Sequence, residues 1–121
     1  MRLVLAAVVF VHAVAHLPGF LVGWELRSFP ELPFRTTILG GSIDVGVVGT
    51  KVVGLAWLAL SLAFVVICLT VLMRPTWWPV FTYGTIAVSM ALCIVGWPET
   101  RVGLAANAFI LVLVVAYGEG L

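Results

Sequence analysis

Four apolar runs, at residues 3–24, 52–73, 77–97 and 102–117, take up most of this 121-residue chain and confine its charges to the gaps between them. A helix rises about 1.5 Å per residue, so roughly 20 mainly apolar residues cross a hydrocarbon layer of about 30 Å. Each run meets that length or falls about one turn short, and the last extends through Gly118. Soluble domains carry about a quarter of their residues as charges, whereas here 9% are charged and 64% hydrophobic. A water-soluble bundle of this composition has no polar face to present. Transmembrane strands would alternate in polarity over about 10 residues, and no such alternation is seen. The expected fold is therefore all-α: a four-transmembrane-helix bundle in a single domain. Its helices are expected at 3–24, 52–73, 77–97 and 102–118, with one long, partly apolar loop at 25–51 between helices one and two.

Aromatic rings mark the same boundaries, because indole and phenol groups favour the headgroup level. With four crossings, Trp24 and Trp97 fall on the side of the long loop, while Trp77, Trp78 and Tyr117 fall on the other. Pro75, Pro79 and Pro98 stand at turns or first helical positions, where a missing N–H costs little. Arg2, the apolar run behind it and Ala13-Val14-Ala15 imitate a secretory signal, but the pattern continues to Trp24, so the first helix is expected to be retained. Arg27, Arg35, Lys51 and Arg101 lie on the long-loop side against Arg2 and Arg74 opposite, the bias of a cytoplasmic face. A net charge of +1 gives no sign of a nucleic-acid partner. Cys68 and Cys93 sit singly in helices two and three and read as small packing residues, which argues against the disulfide-generating quinone reductases.

The loop divides in two. Pro30 and Pro33 make its first part extended or turn-like, at the interface. Its second part, 38–48, surrounds Asp44 with glycines, yet Ile38, Leu39, Val45, Val47 and Val48 require an apolar contact, so this part is expected to fold back as a cap.

His12 and His16 are the strongest local signal. Four apart, they share one helix face, and an imidazole at membrane depth must be hydrogen-bonded or face a polar cavity. They are expected to point inward. The spacing also suits chelation of a divalent metal, but no His, Asp or Glu in another helix completes a set. Bis-His haem ligation usually draws on two helices and fits no better, so no cofactor is assigned. Pro18, in the same helix, is expected to free the carbonyl of Val14 and kink the chain, while Gly19 and Gly23 permit a close neighbour. Asn107 and Trp57 lie at similar depth in helices four and two. The candidate ligand-binding set is thus His12, His16, Trp57 and Asn107 around a vestibule on the long-loop side, with Asp44, Lys51, Glu99 and Arg101 at its rim. The competing account is structural, with buried His and Asn hydrogen-bonding helices together. Thr82, Thr85 and Ser89 on helix three, and Gly54 and Ser61 seven apart on helix two, read as packing seams. Glu99 and Arg101 flank a tight turn and are expected to pair or cap the next helix.

His16-Leu17-Pro18-Gly19-Phe20, Lys51-Val52-Val53-Gly54-Leu55-Ala56-Trp57 and Trp97-Pro98-Glu99-Thr100-Arg101-Val102-Gly103-Leu104-Ala105-Ala106-Asn107 together resemble an uncharacterised family of small bacterial four-helix integral membrane proteins. The architecture is loosely similar to DoxX-like proteins, four-helix bundles linked to quinone or redox partners, although none of their functional residues is matched. The resemblance implies a fold and a bacterial inner-membrane location, not a reaction. No membrane-embedded glutamate of the small multidrug exporters stands in the first helix, and no fluoride-channel motif appears.

Two functional expectations follow. In the first, the protein is a non-catalytic structural or accessory subunit or a self-associating bundle, its partners the lipid bilayer and further membrane subunits. In the second, it binds or transports a lipophilic or weakly polar small molecule in the vestibule lined by His12 and His16. Enzymatic activity has the least support, since no nucleophile–base pair, carboxylate dyad or closed metal set lies within the helices.

Overall fold

The computed structural model describes residues 1–117, so the expected extension through Gly118 lies outside the described residues. The chain is mostly helical. Helices α1 (Arg2–Ala15) and α2 (Leu17–Gly23) form one apolar span; α3 (Gly46–Met73) and α4 (Trp78–Val95) form two more. These three spans are long and apolar enough to cross a membrane, and α5 (Arg101–Tyr117), of 17 residues, is a shorter apolar helix. Many large apolar side chains point outward, Leu3, Val11, Val80 and Val112 among them. In lipid such a surface carries no penalty; in water it would be an aggregation site.

The first span breaks at His16 because Pro18 occupies the first turn of α2 and offers no N–H to the turn before it. The carbonyls exposed by the break are satisfied locally. His16 turns its own ring back to the carbonyl of His12 at 2.7 Å, its backbone N–H goes to Ala13 O at 3.1 Å, and Ser61 of α3 donates to the same Ala13 O at 2.8 Å. An unsatisfied carbonyl at this depth would cost several kcal/mol, which is why a serine stands opposite it.

Ser61 belongs to a seam. Gly54, Ser61 and Cys68, seven apart on α3, face the carbonyls of Phe20, Ala13 and Ala6, seven apart on the first span; Ser61 and Cys68 donate to theirs. The matching intervals define an antiparallel register of coiled-coil type. Close approach is possible because Gly23 and Gly54 meet backbone to backbone. A Cβ on Gly23 would lie 3.1 Å from Thr50 O and 3.3 Å from Gly54 Cα. The buried centre joins Leu5, Val9 and Ala13 of α1 to Phe64 and Ile67 of α3, Ile86 of α4, and Ile110 and Val114 of α5.

The connection between the first span and α3 is shorter than expected. Residues 46–51 continue α3 rather than belonging to the loop, so Val47 and Val48 lie in a helix with their side chains exposed. Asp44 Oδ1 accepts the N–H of Gly46 at 2.9 Å, and Gly46, at φ 71°, turns the chain into the helix. Glycines that look loop-like in sequence here lie at the start of a long span. Before them, β1 (Thr37–Ile38) pairs antiparallel with β2 (Ile43–Asp44) in the register Thr37↔Asp44, Ile38↔Ile43. The intervening turn needs positive φ at Gly40 and Gly41, 67° and 88°, which glycine adopts without a Cβ clash. The hairpin tip docks on the end of α4: Leu39 N–H donates to Val95 O at 2.9 Å and Gly40 N–H to Trp97 O at 3.0 Å. The Val95 carbonyl would otherwise end the helix unsatisfied.

Candidate functional site

Beneath the hairpin, at the long-loop end of the helices, lies a cavity of about 360 Å³. His12, His16 and Gly19 of the first span, Val53 and Trp57 of α3, Cys93 of α4 and Ala106 of α5 form its walls; Leu32, Phe34, Arg35 and Ile38 cover it. The lining is predominantly apolar. Trp57 occupies its place only because residue 19 is glycine, since a Cβ there would overlap the indole ring. Its indole is tilted against His16 at 5.3 Å between ring centroids, and Phe64 touches both imidazoles, at 4.7 Å from His12 and 4.9 Å from His16.

Both histidines are buried, with 6% of His12 and 2% of His16 exposed, and they belong to one hydrogen-bonded circuit. His12 Nε2 lies 3.0 Å from Asn107 Oδ1, Asn107 Nδ2 lies 2.9 Å from Ser89 Oγ, and Ser89 Oγ lies 2.7 Å from His16 Nε2. His16 Nδ1 closes the ring on the carbonyl of His12. Chemistry fixes the direction of every bond. Asn107 Nδ2 also donates to Gly103 O at 3.0 Å, and since a carbonyl only accepts, the amide cannot be reversed. Asn107 Oδ1 therefore faces His12, which must donate from Nε2. At the other end the His12 carbonyl can only accept, so His16 donates from Nδ1 and its Nε2 accepts from the Ser89 hydroxyl. With both rings neutral the two imidazoles hold opposite tautomers.

One atom is left over. His12 Nδ1 carries a lone pair and has no partner among the described residues. Nor is it sealed in: among the described residues, Thr82 Oγ1 is the only fully buried side-chain nitrogen or oxygen without a partner. His12 lines the cavity, and with Nε2 committed to Asn107 its one uncommitted acceptor is Nδ1.

Of the residues expected around a vestibule, His12, His16 and Trp57 line the cavity, and Asn107 stands behind His12 as its partner. Asp44, Lys51 and Arg101 are not brought to it. Asp44 is exposed and serves the turn into α3; Lys51, in the second turn of α3, points outward with its ammonium 5.2 Å from the Trp24 ring; Arg101 is exposed at the start of α5. The early start of α3 explains Lys51, because Thr50 beside it takes the inward position. Glu99 does line the mouth, but pairs with Arg35 of the loop at 2.6 Å rather than with Arg101. Arg35 is half exposed, so the pair contributes about 0–1 kcal/mol and acts as a tether between loop and turn. Ser89, read from sequence as part of a packing seam, is a member of the circuit. Its spacing from Thr82 and Thr85 carried no sign of a partner 73 residues away. Among the described residues, no three His, Cys, Asp or Glu side chains converge to hold an ion.

No protein-family model, curated protein or solved structure matches the chain. The functional reading therefore rests on the cavity and its circuit.

Proposed function

We propose that this chain is a four-pass protein of the bacterial cytoplasmic membrane that binds a small lipophilic molecule in the cavity under the hairpin, without performing chemistry on it. The observation that carries the reading is an apolar chamber of about 360 Å³ with a polar circuit at its inner end. Ligand sites have this composition: mostly apolar walls and a few polar atoms that fix orientation. A purely structural or accessory role accounts for the closed circuit, but leaves an open space and an unpartnered acceptor unexplained.

The test is saturable uptake of 2-naphthol by the protein in lipid nanodiscs, measured over protein-free discs. Wild type should take up about one molecule per chain. Ala106→Phe, which places a ring in the chamber from α5, should lose that uptake while keeping its thermal unfolding temperature. Equal uptake by the two, or no saturable component in either, would contradict the proposal.

A further inference from the structure

We infer that the cavity selects molecules presenting a hydrogen-bond donor, a neutral hydroxyl above all, over acceptor-only molecules of the same shape, and that His12 Nδ1 is the atom that receives it. The inference rests on the binding role proposed above and adds the chemistry of the ligand's polar end.

The argument starts from the Gly103 carbonyl. As an acceptor it fixes the Asn107 amide, Asn107 Oδ1 fixes the proton of His12 on Nε2, and the Nδ1 lone pair remains. The other polar atoms of the circuit are already committed. Ser89 Oγ gives its proton to His16 and receives one from Asn107; His16 uses one nitrogen as donor and the other as acceptor; the Asn107 amide has Ser89, Gly103 and, at 3.7 Å, Cys93 Sγ around its two protons. The inner end of the chamber therefore has an accepting character set by groups on α1, α4, α5 and the α1–α2 junction, a pattern that cannot be reversed without breaking a bond to a backbone carbonyl.

A hydroxyl entering the chamber gains a bond to Nδ1 in predominantly apolar surroundings. A ketone or ether oxygen in the same place meets a second lone pair and no proton. Sites built around a hydrogen bond discriminate strongly against analogues that lack it, because the buried partner is then left unsatisfied.

The experiment uses the nanodisc assay with 2-naphthol, 2-methoxynaphthalene and naphthalene, on wild type and His12→Gln. Glutamine retains an N–H to donate to Asn107, while its one acceptor, the amide oxygen, stands near the place of Cε1 rather than of Nδ1. In wild type, 2-naphthol is expected to bind about tenfold more tightly than either analogue. His12→Gln should bring the three to within about twofold of one another. If the ether or the hydrocarbon binds as tightly as the alcohol to wild type, the donor inference is wrong and the binding role stands. The inference is equally overturned if His12→Gln keeps the tenfold preference. If none of the three shows saturable uptake, the binding role fails and the inference with it.

Discussion

Replacing Asn107 with leucine is expected to lower the unfolding free energy by about 2–4 kcal/mol, a large fraction of what a chain of this size has. The side chain is fully buried and holds three relations at once: it accepts from His12 Nε2 and donates to Ser89 Oγ and to Gly103 O. Leucine keeps the branching at Cγ, is somewhat larger, and removes all three. The His12 N–H is then left pointing at a methyl group, and an orphaned buried donor costs about 1–3 kcal/mol. Individual cross-helix bonds in membranes average only about 0.6 kcal/mol, because the unfolded chain finds other partners in the bilayer. The larger figure is expected because this residue is the branch point of the circuit rather than one link. Ser89→Ala, which removes the bonds from Asn107 Nδ2 and to His16 Nε2 but leaves His12 and Asn107 paired with each other, should cost less, about 1–2 kcal/mol. Reversible unfolding in mixed micelles gives both values, and equal costs for the two variants would mean that Asn107 is not the branch point.

Phe64→Ala should be comparably damaging, at about 2–4 kcal/mol, by a different route. The ring is completely buried and touches both imidazoles while packing in the cluster that joins α1, α3, α4 and α5. In lipid the usual gain from removing apolar surface from water is absent, since the separated helices are already in hydrocarbon. What is lost is dispersion contact, and the expected cost follows the void left behind at about 24 cal/mol per Å³. Phe64→Leu should cost roughly half as much or less. The same variant should loosen His12 and His16, because the ring is a wall of their pocket. A loss below about 1 kcal/mol for Phe64→Ala, in the same micelle titration, would show that the neighbours collapse into the space and that the imidazoles are not held by packing.

Much of the helical layout was legible in the sequence. Length and apolarity located the spans, and Pro18 located the break in the first one. The His pair was readable because two imidazoles on one face of an apolar helix cannot be left in hydrocarbon, and burial of both follows. Depth alone put Asn107 and Trp57 near them, but which atoms meet was not readable. On α3 the apolar residues run around the whole helix, so no stripe distinguishes the side facing protein from the side facing lipid. Asn107 is placed beside the histidines by its depth, whereas Ser89 reads as part of a packing seam with Thr82 and Thr85. Only the fold shows that Asn107 and Ser89 meet each other and, between them, both histidines. The start of α3 was missed because Gly46 and Gly49 carry a turn signal locally, whereas Asp44 accepting from Gly46 N–H begins the helix there. Arg35 was read only as a loop charge, and its partner Glu99 lies 64 positions further on, beyond the reach of any local pattern.

The central claim is that two imidazoles inside a membrane protein form one circuit with opposite tautomers, leaving His12 Nδ1 as the uncommitted acceptor. Nitrogen-15 NMR of the histidine-labelled protein in lipid, with His12→Gln and His16→Gln variants for assignment, measures this directly. The account predicts a proton on Nε2 of His12 and on Nδ1 of His16, each ring neutral. Finding the two rings in the same tautomer, or a proton on Nδ1 of His12, would contradict it.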